Sequence, residues 1–178
     1  CNDKESLRRK QMQTVIFKVC DALCRLLTPI IPFTMEEVWK NMPNYDGKSP
    51  AYLSYPTPSN VYGEEVLKQY KEFLQMRDEV LKALEIARRN NLIGSSQEAK
   101  VIIPHYEILK QTGLDNNLSE LAKLFIVSEV EINDDATSPN AYKVEGEKCP
   151  RCWNFVNKLI RIDDETCVCP RCQKVLVK

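Results

Sequence analysis

Eight cysteines stand at positions 1, 20, 24, 149, 152, 167, 169 and 172, five of them within the last 30 residues. Two of these pairs read C-P-R-C: Cys149 with Cys152, then, sixteen residues on, Cys169 with Cys172. Two C-x2-C knuckles at that separation are a tetrathiolate zinc pattern. Each knuckle turns tightly enough to aim two sulfurs at one ion about 2.3 Å away. With four protein thiolates as ligands no position stays open for water, so the expected Zn²⁺ is single and structural, and no catalytic residue is assigned. Cys167 lies two residues before Cys169 and does not fit the knuckle, so it reads as a free thiol in the ribbon. Cys20 and Cys24, four apart on an apolar helical face, read as small buried hydrophobes. His105 is the one histidine and follows Pro104, which makes it a surface or turn residue. Gly47, Gly63, Gly94, Gly113 and Gly146 are all isolated, so no phosphate-cradling glycine loop exists.

The elements that must hold this site can be read from periodicity. Over residues 3–27, Met12, Val15, Ile16, Val19, Cys20, Leu23, Leu26 and Leu27 recur at helical spacing, and Pro29 and Pro32 stop that helix. Thr34 with Glu37 forms a capping-box pair that predicts a short helix through Val38 and Trp39, ending before Pro43. Four prolines across 43–63 predict an extended connector. Residues 64–91 carry a second long stripe, weakened at Asn90 and Asn91, with Gly94 as its terminator. Beyond it come a strand at 101–103, short helices at 106–111 and 118–124, a strand over 125–132, a polar loop and a third strand from Tyr142. The expected fold is mainly α with a small α+β part. It comprises a helical segment over 1–45, a connector over 46–63, a long helix with short strands over 64–145, and a zinc ribbon over 146–178. One long and one short helix cannot bury their own apolar faces, so the first unit reads as incomplete.

The chain has 178 residues, with 25 basic and 25 acidic side chains. That balance excludes a strongly basic nucleic-acid coat. No apolar run of about 18 residues exists, so no membrane partner is expected. The opening CNDKESLRRK lacks the apolar centre of a secretory leader. Starting at Cys1, inside what reads as a helix, the chain is expected to be a piece of a longer protein. Unpaired thiols without a leader place it in the cytoplasm.

Four stretches carry a family resemblance. Segment 25–39, RLLTPIIPFTMEEVW, resembles the L-x-P-x-x-P-x-x-x-E-E-x-W signature of the anticodon-binding helical bundle of class I synthetases for isoleucine, valine, leucine and methionine. Segment 77–85, RDEVLKALE, resembles the long helix that follows it in isoleucyl-tRNA synthetases. Segment 92–101, LIGSSQEAKV, is similar to their I-G-S-S-x-E-A-x-V stretch, and segment 146–154, GEKCPRCWN, to their zinc segment. Order and spacing agree over essentially the whole chain, which resembles the C-terminal portion of a bacterial-type isoleucyl-tRNA synthetase. The resemblance implies that 1–45 is part of the anticodon-binding bundle. It also implies a parent that joins isoleucine to its tRNA with ATP. The H-I-G-H and K-M-S-K-S signatures are absent, so ATP belongs to the missing catalytic part, and this segment is expected to have no activity alone. The implied partners are the anticodon arm of tRNA(Ile) and the rest of the synthetase chain, with the protein a monomer.

Charge by segment tempers the RNA expectation. Residues 1–63 hold 8 basic and 6 acidic side chains, net +2; residues 64–140 hold 9 and 14, net −5; residues 141–178 hold 8 and 5, net +3. Four thiolates and one Zn²⁺ bring the tail to +1, and Arg151 and Arg171 inside the knuckles mainly offset that thiolate charge. Since phosphate neutralisation supplies most non-specific affinity, the piece alone should bind tRNA weakly. The candidate RNA contacts are Trp153, Arg88, Arg89, Lys158 and Arg161. For Trp153 and Phe155, packing over the ribbon's small core is weighed above stacking on an unpaired base, and Trp39 is placed in the core of the complete bundle. Two other classes compete: a purely structural zinc module docking the synthetase body, and the zinc finger of a formamidopyrimidine-type DNA glycosylase. The glycosylase requires an N-terminal Pro-Glu pair, which is missing, and an arginine where Asp164 stands.

Overall fold

The computed structural model describes residues 2–43, 45–58 and 63–177. Cys1 and the connector positions 59–62 lie outside the described residues. The chain divides into two compact units, Cys1–Val61 and Tyr62–Lys178. About half of it is helical, with a few short strands. Among the described residues no helix is long and apolar enough to cross a membrane.

In the first unit, helix α1 (Leu7–Leu27) starts where the Ser6 hydroxyl accepts the Arg9 N–H. It ends where the Thr28 hydroxyl donates to the Cys24 carbonyl at 2.6 Å. Cys24 is buried, but Cys20 is only half-buried. Burial, then the neighbouring Cys20, pushes the Cys24 thiol up to about 11. Helix α2 (Pro32–Lys40) begins two residues before Thr34, so the capping box does not form. Proline at the first helical position, with its preset φ and no N–H to satisfy, sets the start instead. Much of the apolar stripe stays in solvent: Ile16, Val19, Leu23 and Leu26 are exposed, as are Ile30 (73 %) and Phe33 (90 %). Within the connector, Ser49 caps a short 3-10 turn (Pro50–Tyr52) and bonds Glu36, while Arg25 pairs with Asp21 and donates to the Ser54 carbonyl at 3.3 Å.

The second unit is built on helix α3 (Glu64–Arg89), which buries Met76, Val80, Ala83, Leu84 and Ala87 along one face. Gly94 does not end it. Asn91 takes the left-handed conformation (φ 58°), and the Leu92 N–H reaches back to the Ala87 carbonyl at 3.0 Å. Asparagine tolerates that region well enough to serve as the stop. Strand β1 (Ala99–Ile103) then runs down the middle of a three-stranded sheet. It pairs in parallel with β2 (Glu129–Ile132) and antiparallel with β3 (Asn140–Lys143), with Val101 opposite both Val130 and Ala141. The parallel pairing needs a crossover, supplied by α4 (Glu107–Thr112) and α5 (Leu118–Phe125). Ala99, Val101 and Ile103 point into the core with alternate residues outward.

The expected strand over 125–132 is shorter. Phe125 closes α5, Ile126 turns left-handed (φ 61°), and the Val127 N–H caps the helix through the Ala122 carbonyl at 2.9 Å. A helix C-terminus therefore uses the first residues of a stretch whose alternation reads as strand. On the outward face of β1, the Lys100 ammonium lies 2.9 Å from Glu129 and 2.6 Å from Glu131.

Candidate metal centre

Two short hairpins and a final helix position the four knuckle cysteines. Strand β4 (Glu147–Lys148) pairs with β5 (Phe155–Val156), and β6 (Ile160–Arg161) with β7 (Cys167–Val168). The first knuckle is the turn between β4 and β5. It is closed by the Trp153 N–H on the Cys149 carbonyl (2.8 Å) and the Cys149 N–H on the Asn154 carbonyl (2.9 Å). The second knuckle opens helix α6 (Pro170–Leu176). Cys169 is the N-cap, its sulfur accepting the Cys172 N–H at 3.4 Å, and Pro170 occupies the first helical position.

Gly146 precedes β4 with φ 124°, and a methyl group there would lie 2.5 Å from the Val156 carbonyl oxygen. That approach is inside van der Waals contact and is to backbone, which cannot rotate away. Gly146→Ala is therefore expected to cost the ribbon about 1–3 kcal/mol. The loss should be seen as weaker zinc retention against a graded chelator, with little change in the melting of the α3 core.

The four sulfurs converge. Cys149, Cys152, Cys169 and Cys172 place their Sγ atoms all within 4.8 Å of one another, with Cys152 and Cys169 at 3.7 Å. A tetrahedron of ~2.3 Å zinc–sulfur bonds has edges of about 3.8 Å, so the donor set fits one zinc ion. Cys149, Cys169 and Cys172 are buried, on a cushion of Val168, Val156, Leu159 and Ile162.

The electrostatics call for a cation. Burial would raise the Cys149 thiol, but N–H groups of Cys169, Cys152 and Arg151 aimed at its sulfur bring it down to about 6. Burial pushes the thiols of Cys152 and Cys169 up. Four thiolates this close do not ionise together unless a metal shares their charge. Two arginines help: Arg151 Nη1 lies 3.4 Å from the Cys172 sulfur, and Arg171, despite its desolvation, is held charged by the Cys152 and Cys172 sulfurs. With all four ligands from protein, the ion would hold the ribbon together without activating water. Cys167 is exposed on β7, beside the cluster and outside it.

The candidate RNA contacts fall in two places. Arg88 and Arg89 end α3 and are both engaged by Glu85: Arg88 Nη1 at 2.6 Å and Arg89 Nε at 3.1 Å. Hydrogen bonds from these arginines hold the Glu85 carboxyl below its usual range. On the ribbon, Lys158 is exposed, and Arg161 donates to the Asp163 carbonyl (3.0 Å) and the Asp164 carbonyl (2.6 Å). Trp153 overturns its expected place. It is not in the ribbon core but 59 % exposed, in the left-handed conformation (φ 65°), with the Lys148 ammonium 5.7 Å from its ring centre. The positive φ demanded by the knuckle turns the indole outward, while Phe155 stays half-buried.

Sequence reading missed Lys148 as Trp153's companion, although a cation next to the knuckle was visible. It also missed the hydrogen bond that the Phe155 N–H donates to the Ser128 hydroxyl at 2.7 Å, for which no local signal exists. His105 is partly exposed, 3.9 Å from Asp134.

Comparison with known proteins gives two family matches. Residues 1–103 match the family described as anticodon-binding domain of tRNA ligase. Residues 146–175 match the family described as zinc finger found in FPG and IleRS. Among similar curated proteins, the isoleucine–tRNA ligase of Staphylococcus haemolyticus is 36 % identical over 182 residues, covering 98 % of this chain. Those of Staphylococcus epidermidis and Staphylococcus aureus are 37 % and 35 % identical, each covering 97 % of it. The chain spans about a fifth (20 %) of the length of each of these relatives.

Proposed function

The chain belongs to the anticodon-binding domain family of tRNA ligases, and from that premise we propose that it is the tRNA-recognition segment of an isoleucine–tRNA ligase. In this reading the parent attaches isoleucine to tRNA(Ile) with ATP, as a monomer, through a catalytic part outside these residues. The single observation that carries the specific reading is the succession of an anticodon-binding match and a zinc-finger match in one chain. Residues 1–45 are then part of the anticodon-binding bundle, 46–63 a connector, 64–145 a junction, and 146–178 a zinc ribbon held by Cys149, Cys152, Cys169 and Cys172. The exposed apolar stripe of α1 supports the partial-bundle assignment, because such a face is stable only when other helices cover it.

The ribbon meets RNA through Trp153. An exposed indole beside a lysine offers a flat face for an unpaired base and a cation for its phosphate. Lys158 and Arg161 add charge on the same ribbon, whereas Arg88 and Arg89 are partly spent on Glu85. The alternative of a purely structural ribbon is separated by one experiment. The zinc-loaded chain is titrated with the anticodon stem-loop of an isoleucine tRNA. Binding is expected to be weaker than about 1 µM at physiological salt, given a near-neutral ribbon. Trp153→Ala should weaken it a further five- to hundredfold, from ~1–3 kcal/mol per stacked base. A Trp153→Ala chain that keeps its zinc and binds the stem-loop as before would establish the structural reading instead.

A further inference from the structure

The second unit contains two separate apolar clusters: the core between α3 and the three-stranded sheet, and the small cushion under the four cysteines. The hydroxyl of Ser128 stands between them. Ser128 lies just before β2, half-buried, and its own N–H is tied to the Ala99 carbonyl at 3.1 Å. Its Oγ donates to the Gln97 carbonyl at 2.6 Å and accepts the Phe155 N–H at 2.7 Å. One hydroxyl thus uses its donor on the loop after the long helix and an acceptor pair on the zinc ribbon. Phe155 pairs with Lys148 in the β4–β5 hairpin, two residues past Trp153, and Lys148 is the residue whose ammonium lies 5.7 Å from the Trp153 ring centre. The same loop is fastened on its other side: Arg88 donates to the Ser96 hydroxyl at 3.2 Å, and the Glu98 carboxylate accepts the Gly94 N–H at 3.0 Å.

From this juxtaposition we infer that Ser128 is a positioning residue, a latch whose hydroxyl fixes the zinc ribbon on the α+β body and so sets where Trp153 is presented. The inference rests on the reading of Trp153 as an RNA contact only for its functional consequence; the latch itself is structural and is measured separately. A side chain other than serine or threonine at 128 leaves the Phe155 N–H without this acceptor and the Gln97 carbonyl without this donor. The ribbon keeps its zinc, because none of the four sulfurs is touched, but gains freedom to reorient.

The test uses the full zinc-loaded chain and its Ser128→Ala and Ser128→Thr variants. In the unaltered chain the Phe155 amide is expected to exchange slowly. In Ser128→Ala it should exchange on the order of tenfold faster, as for one lost hydrogen bond. Zinc should remain at one ion per chain, and amide relaxation should report a ribbon tumbling apart from the body. Ser128→Thr should restore protection. With the stem-loop as probe, Ser128→Ala should weaken binding severalfold, and the Ser128→Ala, Trp153→Ala double variant should lose no more than Trp153→Ala alone, since the latch acts through Trp153. Unchanged Phe155 exchange and ribbon tumbling in Ser128→Ala would overturn the latch. So would a Phe155 amide that exchanges in the unaltered chain like an open loop, a result that stands even where Ser128→Ala does not fold. Losses that simply add would overturn the action through Trp153. A Trp153→Ala chain with full binding would overturn the RNA reading and leave the latch to the exchange data.

Discussion

Cys169→Ser is expected to abolish zinc retention and melt the C-terminal ribbon while leaving the α3 core folded. Cys169 contributes two things at once: a buried sulfur 3.7 Å from Cys152, and the N-cap of α6, where that sulfur accepts the Cys172 N–H. The hairpins β4–β5 and β6–β7 have only two residues per strand. Isolated two-stranded hairpins are marginal in water even when longer. The few apolar residues under the cysteines are too small a cluster to offset that. Structural zinc supplies about 10–16 kcal/mol of apparent binding free energy in small peptides, and that energy is folding energy. A serine hydroxyl is a poor substitute for a thiolate, so most of that stabilisation should go. Elemental analysis should fall from one zinc per chain to well below it, and far-UV circular dichroism should lose only the signal of the ribbon.

Acidification should act in the same direction. Zinc binds thiolates, protons compete for them, and retention should therefore weaken as pH falls. A Cys169→Ser chain that keeps stoichiometric zinc and a protected Phe155 amide would contradict the assignment of the four ligands.

Phe125→Ala is expected to cost the second unit about 3–5 kcal/mol, a large share of a small domain's stability. Phe125 is 1 % exposed and closes α5, with its ring stacked on Phe73 of α3 at 6.2 Å between centres and 9° between planes. It therefore joins the two helices that flank the sheet. Truncation removes transfer free energy and leaves a cavity, because α5 is held on both sides: by the Asn117 cap at its start and by Val127 N–H on Ala122 at its end. The measurement is the urea midpoint followed by circular dichroism. A shift corresponding to less than about 1 kcal/mol would mean that this end of the core repacks freely. Zinc stoichiometry in the same variant should stay at one per chain, because the cysteine cluster and the Phe125 core are separate. The pair of variants thus distinguishes two sources of stability, metal in the ribbon and apolar packing in the body.

The parts of this protein legible in its sequence are those where distance along the chain equals distance in space. Each C-x2-C knuckle brings two sulfurs together within a four-residue turn, and the sixteen-residue spacing of the two knuckles is itself a zinc pattern, so the cysteine cluster of Cys149, Cys152, Cys169 and Cys172 was readable before any fold was known. Helical stripes are equally local, and α1 and α3 lie where their periodicity put them. Local rules failed where two of them competed. Proline at 32 outranked the Thr34 cap, and Asn91 ended α3 ahead of Gly94. Helix capping at Ile126 claimed residues whose alternation also suited a strand.

Only tertiary structure could decide the rest. The parallel pairing of β1 with β2 joins segments some thirty residues apart through a crossover, and alternation does not reveal a partner. The outward turn of Trp153 depends on the backbone sign that closing the knuckle imposes, and an aromatic beside a cysteine has no sequence mark for that. The bond between Ser128 and Phe155 spans 27 positions. A lone serine acquires such a role only when folding has brought a carbonyl and an amide within reach of its one hydroxyl.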